Sequence, residues 1–437
     1  MAKFRWMAPI YLGITSSPGI RDRAKTDYLA FLKNTVQETE LDSLVSPRSA
    51  ADQRLAGWAK AAASEHPWSQ EVLEGTQRIQ HPEAADGIEL VGEIAEWTLY
   101  DHGVLIATGQ VDVDDSLIRK CVESGDINPV EDQIREYCEA TTKTLAEDIS
   151  RALIDTWSKK LNKNAEQFVA LDSYVAAEPL WVTRAIQLPR SNDLLTRFAQ
   201  LWVSGVDDEN IAEFDELKKG TRAQVARWMN HIHALEYPET NNAKWSALKH
   251  AQFFWAALQK VDHRLRSILN TSMAPKGENA LPKLRHELND SVNSAIEFIL
   301  MYDEYRQYSS RQKMNYVNQY LKAWNFEDDL YTPVNRKIEL CKAQLDHLAT
   351  QQQEQSTVVT DVILLGIGLT SLLATAVGLV QFGRDAASDP EQTMFDLGSG
   401  SITSWLSSQP MDAVVLLSLA ISMLLMFLFA WHRRQGL

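Results

Sequence analysis

The chain has 437 residues, with 43 Lys and Arg against 58 Asp and Glu, a net charge of −15. So acidic a chain lacks the clustered positive charge that a phosphate backbone requires, so direct nucleic-acid binding is excluded; the negative field instead favours cations as partners. Its 45% of apolar residues is enough for a substantial core.

Taken in chain order, residues 7–13 read as a first strand, and the short apolar stretch broken by Pro9 is not a secretory signal. Residues 94–100 and 104–113 are two β-rich runs around Asp101-His102-Gly103, a turn signature, and predict a hairpin. Asp112, Asp114 and Asp115 follow it, and Asp207 and Asp208 form a second acidic group. Carboxylates at this spacing bind Mg²⁺ or Ca²⁺ weakly, or simply sit at solvated turns and helix starts. Leu145, Ile149, Leu153, Trp157 and Leu161 give a helical stripe, and residues 180–186, between Pro179 and Pro189, another strand.

His231 and His233 sit two apart. On a helix they diverge, whereas on a strand both face one side, but two histidines do not complete a metal shell. There is no G-x-S-x-G, no phosphate loop and no zinc-peptidase motif, so no catalytic residues and no resident cofactor are assigned. Cys121, Cys138 and Cys341 are widely spaced, which fits a reducing compartment without disulfides. Residues 1–240 thus predict an α/β or α+β domain, with a junction at residues 238–242.

Residues 241–331 read as a helical region. Leu248, Ala251, Trp255, Leu258, Val261 and Leu265 lie on one side of its first helix, a helical stretch covers 284–324, and Glu327-Asp328-Asp329 makes a turn. Thr332 as N-cap and Pro333 at the first helical position predict a new helix start. From there Val334, Ile338, Cys341, Leu345 and Leu348 keep a four-three coiled-coil spacing. With no later breaker, the stalk of residues 332–361 is expected to run on as one helix into residues 362–382.

That last stretch is an uncharged run of 21 residues, and residues 413–431 form another of 19. Each matches the roughly 20 residues needed to cross a bilayer. The segment between them, 383–412, carries Asp385, Asp389, Glu391, Asp396 and Asp412 against Arg384, while the tail 432–437 holds Arg433 and Arg434. Positive charge stays inside, so the sequence predicts an inner (plasma) membrane protein with both termini cytoplasmic and an external acidic loop. Thr370, Ala374, Val377 and Gln381 recur at helical spacing and define one face of the first span, either a pore wall or a close-packed helix interface.

This order of parts resembles the CorA-like family of two-transmembrane divalent-cation transporters, and the segments 97–105 and 251–258 look like those of its divergent members. The family's Tyr-Gly-Met-Asn signature ends the first membrane helix, where this chain reads Phe382-Gly383-Arg384-Asp385. Aromatic and Gly are kept, while Arg replaces Met and Asp replaces Asn. The resemblance implies a homopentamer in membrane lipid, with first membrane helices around an axis, a mouth at Phe382, Gly383, Arg384 and Asp385, and Mg²⁺ or another divalent cation as cargo or regulator. Two other functions fit the same sequence: a membrane effector of antiviral defence triggered by a small nucleotide-like ligand, and a non-conducting membrane-anchored scaffold.

Overall fold

The computed structural model describes residues 1–12, 14–16, 46–47, 71–78, 88–89, 94–160, 169–171, 178–203, 208–227, 229–273 and 281–388, with scattered positions between 405 and 424. Two compact units are present, Met1–Leu345 and Asp346–Leu437.

The first unit is built on a mixed sheet. Its strands are β1 (Ala2–Tyr11), β3 (Ser46–Pro47), β4 (Glu71–Arg78), β5 (Ile88–Glu89), β6 (Ile94–Tyr100), β7 (Val104–Val113), β9 (Thr183–Leu188), β10 (Gln224–Arg227) and β11 (Asn230–Ala234), in the order β10-β11-β9-β1-β7-β6-β4-β3 with β5 on β7. The short strands β2 (Ile14–Ser16) and β8 (Val169–Leu171) pair separately. Successive side chains of a strand face opposite sides. In β1 the even positions Phe4, Trp6, Ala8 and Ile10 join one core, while Arg5 and Tyr11 face the other side. Because β1 and β7 pair from Ala2↔Val113 to Tyr11↔Val104, the odd positions of β7 share the Phe4–Trp6 face.

That face is covered by α1 (Asp115–Ser124), α2 (Asn128–Lys160), α3 (Asp193–Val203) and α4 (Asp208–Lys219), through Ile118, Ile134, Cys138, Phe198, Trp202 and Phe214. Phe4, Phe198 and Trp202 meet at 5.3–6.2 Å between ring centres. Each fully buried aromatic of this kind contributes about 2–3 kcal/mol of hydrophobic stabilisation. Two glycines make room for tryptophans on adjacent strands. Trp6 lies opposite Gly109, and Trp97 opposite Gly75; a Cβ on either glycine would stand 2.6–2.7 Å from the indole.

The opposite face carries α5 (Pro238–Met273). Tyr11 donates from its hydroxyl to the Ala256 carbonyl at 2.6 Å, Gln252 donates to Thr183 Oγ1, and Tyr100 stacks on Phe253 at 4.5 Å. Residues 238–242, expected as a domain junction, form the first turn of this helix, with Pro238 at its start where a missing N–H costs nothing. Helices α6 (Leu281–Tyr308) and α7 (Arg311–Ala323) pack on α5. The expected single stretch 284–324 is thus two helices. They break at Ser309-Ser310, where Ser310 caps α7 through Lys313 N–H.

The chain reverses after α7 at Asn325, which adopts φ 53° and donates from Nδ2 to Asp329 Oδ1 at 2.8 Å. Asn is one of the few residues that tolerate this left-handed conformation. Helix then resumes one turn before the expected cap. Residues Glu327–Tyr331 form a π-turn that leads without a break into α8 (Thr332–Ser388), so Thr332 is already helical rather than an N-cap, and Glu327-Asp328-Asp329 is not a turn. Thr332 N–H reaches the Glu327 carbonyl five residues back. This wider turn carries the helix into Pro333, which has no N–H to offer an α-bond.

In its first turns α8 buries Val334, Ile338 and Cys341, the residues of the four-three spacing. Lys337 forms an ion pair with Asp262 of α5, and Gln344 Nε2 donates to the Ser272 carbonyl at 3.4 Å, so α5 and α8 run in the same direction. All three cysteines are buried and free.

In the second unit, α8 continues to Ser388, six residues beyond the expected end of the first span. Each described residue between Asp412 and Leu424 is helical. Among the described residues, no helix is long and apolar enough to cross a membrane. Within the run 362–382, several side chains, Thr370 among them, lie outside the described residues.

Candidate functional site

Most of the expected site residues have definite places. Asp114 is the N-cap of α1, its Oδ1 accepting Ser116 N–H at 2.7 Å, and this hydrogen bond lowers the carboxyl's pKa. Asp115 begins α1 and pairs with the N-terminal ammonium at 2.9 Å, and Asp112, next to last in β7, lies opposite Lys3 of β1. Asp208 is the first residue of α4, and Asp207 lies outside the described residues. Among the described residues, no group of three or more His, Cys, Asp or Glu is placed to hold a metal ion.

The expected pore residues all lie on α8. Thr370, Ala374, Val377 and Gln381 share a helix face by their spacing. Ala374 and Gln381 are exposed and Val377 is half-buried. The mouth residues Phe382, Gly383, Arg384 and Asp385 are helical too, rather than the start of a loop, and Phe382, Arg384 and Asp385 are exposed. The helix continues because nothing from Gln381 to Ser388 breaks it. Gly383 is followed by Arg384, Asp385, Ala386 and Ala387, and Pro390 comes only after the last turn.

His231 and His233 are on β11, so both side chains face α5. Their rings lie 6.4 Å apart, at 6.4 and 5.5 Å from Trp245 of α5, and His231 is 6.0 Å from Tyr320 of α7. Tyr320 in turn accepts from Gln224 Nε2 at 2.6 Å. The cluster is buried: His231 is 1% and His233 3% exposed. Burial, with His231, Arg5 and Lys244 adding repulsion, pushes the His233 pKa well below the ordinary histidine value, so the ring is neutral at pH 7.

This has a consequence for stability. The unfolded chain takes a proton on His233 near pH 6.5, whereas the folded chain takes it only at much lower pH. The stability is complete above about pH 6.5 and falls as pH drops below it, by about 1.4 kcal/mol per pH unit for one proton. Urea unfolding between pH 7.5 and 5.5 should show this slope, and His233→Gln should flatten it.

Beside the cluster an open groove of about 550 Å³ lies between sheet and helix. Its floor is Arg5, Thr108 and Gln110, and its wall is the first turns of α5 with Asn242, Trp245, Ser246 and Lys249. Arg5 stacks 5.1 Å from the Trp245 ring centre and donates to Asn242 Oδ1 at 2.9 Å. Burial lowers its pKa and the nearby Glu96 raises it. Lys249 Nζ donates to Thr98 Oγ1 at 2.9 Å.

Neither the groove nor the tie between Asp262 and Lys337 is marked by a motif or a spacing in the sequence. A first strand that starts at residue 7 leaves Arg5 outside it. A strand begun at Ala2 puts Lys3 and Arg5 in alternation with Phe4 and Trp6, and so marks Arg5 as facing the second layer. No protein-family model, no curated protein and no solved structure matches the chain.

Proposed function

We propose that the chain is a homo-oligomeric membrane protein of CorA-like build that passes cations along an axis lined by α8. The observation that carries this reading is α8 itself. It is one helix of 57 residues, roughly 85 Å at 1.5 Å per residue, tied to the first unit at its start and apolar toward its end. In a single chain, Leu364, Ile367, Leu379 and Phe382 are each more than half exposed, as are Leu416, Leu417, Met423 and Leu424. Large apolar side chains at this density are stable only against lipid or against other copies of the helix.

The face of Thr370, Ala374, Val377 and Gln381 then turns to the axis, because polar groups in an apolar span are stabilised by protein or water. Asp385 and Arg384, one turn further, form the charged entrance. The carboxylate ring concentrates cations, driven by about 2.3 kcal/mol per charge per 100 mV of membrane potential. Gating comes from the first unit: a shift of α5 reaches α8 through Lys337 and Asp262 and biases two packings of the helices.

The test is ion flux in liposomes carrying the purified full chain, with Mg²⁺, Na⁺ and Cl⁻ measured separately. The expected result is cation flux that falls more than about tenfold in the double variant Gln381→Ala/Asp385→Ala, the order expected from losing both polar rings of the entrance. Silence for every ion would remove the conducting function and leave the membrane effector or the scaffold, and equal flux in the variant would remove the entrance assigned to Gln381 and Asp385.

A further inference from the structure

The groove between β1, β7 and α5 has no role in conduction, and its chemistry is unlike the rest of the molecule. The chain carries a net charge of −15, yet among the described residues that line this groove Arg5 and Lys249 are cationic and Glu96 alone is acidic. A low-dielectric wall strengthens the field of such charges toward an incoming anion. The wall here is Trp245, only 6% exposed, with the buried His231–His233 pair packed behind it.

Arg5 is pre-set for an oxyanion. Its guanidinium is held on one side by the Trp245 ring and on another by Asn242, so little side-chain freedom remains to be lost on binding. The fork has five N–H donors in fixed directions, of which Asn242 takes one, and it matches the paired oxygens of phosphate. Gln110 and Ser246, both on the groove, add neutral donors at its rim. A volume of about 550 Å³ exceeds what an inorganic ion fills and lies in the range of small-molecule sites.

We infer that this groove binds a phosphate-bearing small molecule, with Arg5 and Lys249 as its charge partners and Gln110 and Ser246 as rim donors. The site stands on its own geometry and does not depend on the membrane reading. If both hold, it is a place for a regulatory ligand, because the same helix that forms its wall carries Asp262 toward α8.

Isothermal titration of the full chain in detergent, at low ionic strength, with inorganic pyrophosphate as probe tests it. Binding is expected in the sub-millimolar range, with citrate, a polycarboxylate of similar charge, binding at least about tenfold more weakly. Gln110→Glu puts a carboxylate on an exposed position of the rim and should weaken pyrophosphate at least about tenfold without moving the thermal midpoint. Lys249→Gln should weaken it by a similar factor. No heat with pyrophosphate, equal binding of citrate, or binding unchanged in Gln110→Glu would each overturn the assignment. None of these readouts involves ion flux, so this site and the conducting function fail or stand separately.

Discussion

Gly109→Ala is expected to destabilise the first unit by about 3 kcal/mol, the upper part of the range for overpacking a filled core. The added methyl would stand 2.6 Å from Cε2 and Nε1 of Trp6, whose side chain is fully buried. The indole has nowhere to go, since it is fully buried in the core it shares with Phe198 and Trp202 of α3. Either the ring leaves its rotamer or β1 and β7 separate at their centre, where ten consecutive residue pairs hold them together. Urea unfolding followed by tryptophan emission measures the loss. The decisive comparison is the same substitution in a Trp6→Phe background. The smaller ring frees the volume the methyl needs, so Gly109→Ala should there cost less than about 1 kcal/mol. Equal costs in both backgrounds would mean that glycine matters for the backbone and not for the tryptophan.

Lys337→Met is expected to cost about 2–3 kcal/mol, because it leaves the Asp262 carboxylate buried with, among the described residues, the exposed Arg266 as its remaining ion-pair partner. Asp262 is 10% exposed on its side chain and Lys337 23%, so water does little to replace the lost partner. Replacing both, as Asp262→Leu with Lys337→Met, should recover most of the loss, since two apolar groups of similar size fill the space without a stranded charge. Midpoints of denaturant unfolding for the two single variants and the double variant close this cycle. A double variant as unstable as the single one would show that the pair acts through packing of its methylenes.

What could be read from the sequence, and what could not, follows the range of the interactions. The hairpin 94–113 was legible because its signal is local: two β-branched and aromatic runs around Asp101-His102-Gly103, and it occurs as β6 and β7. The spacing of Val334, Ile338 and Cys341 likewise marks the side of α8 that is buried. The break between α6 and α7 was not legible, since Ser309-Ser310 contains neither Gly nor Pro and only the cap at Ser310 makes it a boundary. The start of α8 was misplaced because Thr-Pro is a good cap pair locally, while the π-turn and Asn325 that override it depend on packing with α5 and α6. His231 and His233 could be seen as a pair, but their lid of Trp245 and Tyr320 comes from two other helices. The groove is the extreme case: β1, β6, β7 and α5 each supply one or more of its residues, over more than 240 positions of chain.

Helix α5 is a single uninterrupted element with the groove at one end and Asp262 further along, 13 residues or about 20 Å beyond Lys249. A helix of this kind transmits displacement in both directions, and equilibrium thermodynamics makes the exchange symmetrical. Whatever factor an occupied groove applies to the pairing of Asp262 with Lys337, loss of that pairing must apply the same factor to affinity in the groove. Lys337→Met therefore doubles as a measurement of communication: the ratio of pyrophosphate dissociation constants with and without it is the coupling constant, obtained without observing any movement of the long helix.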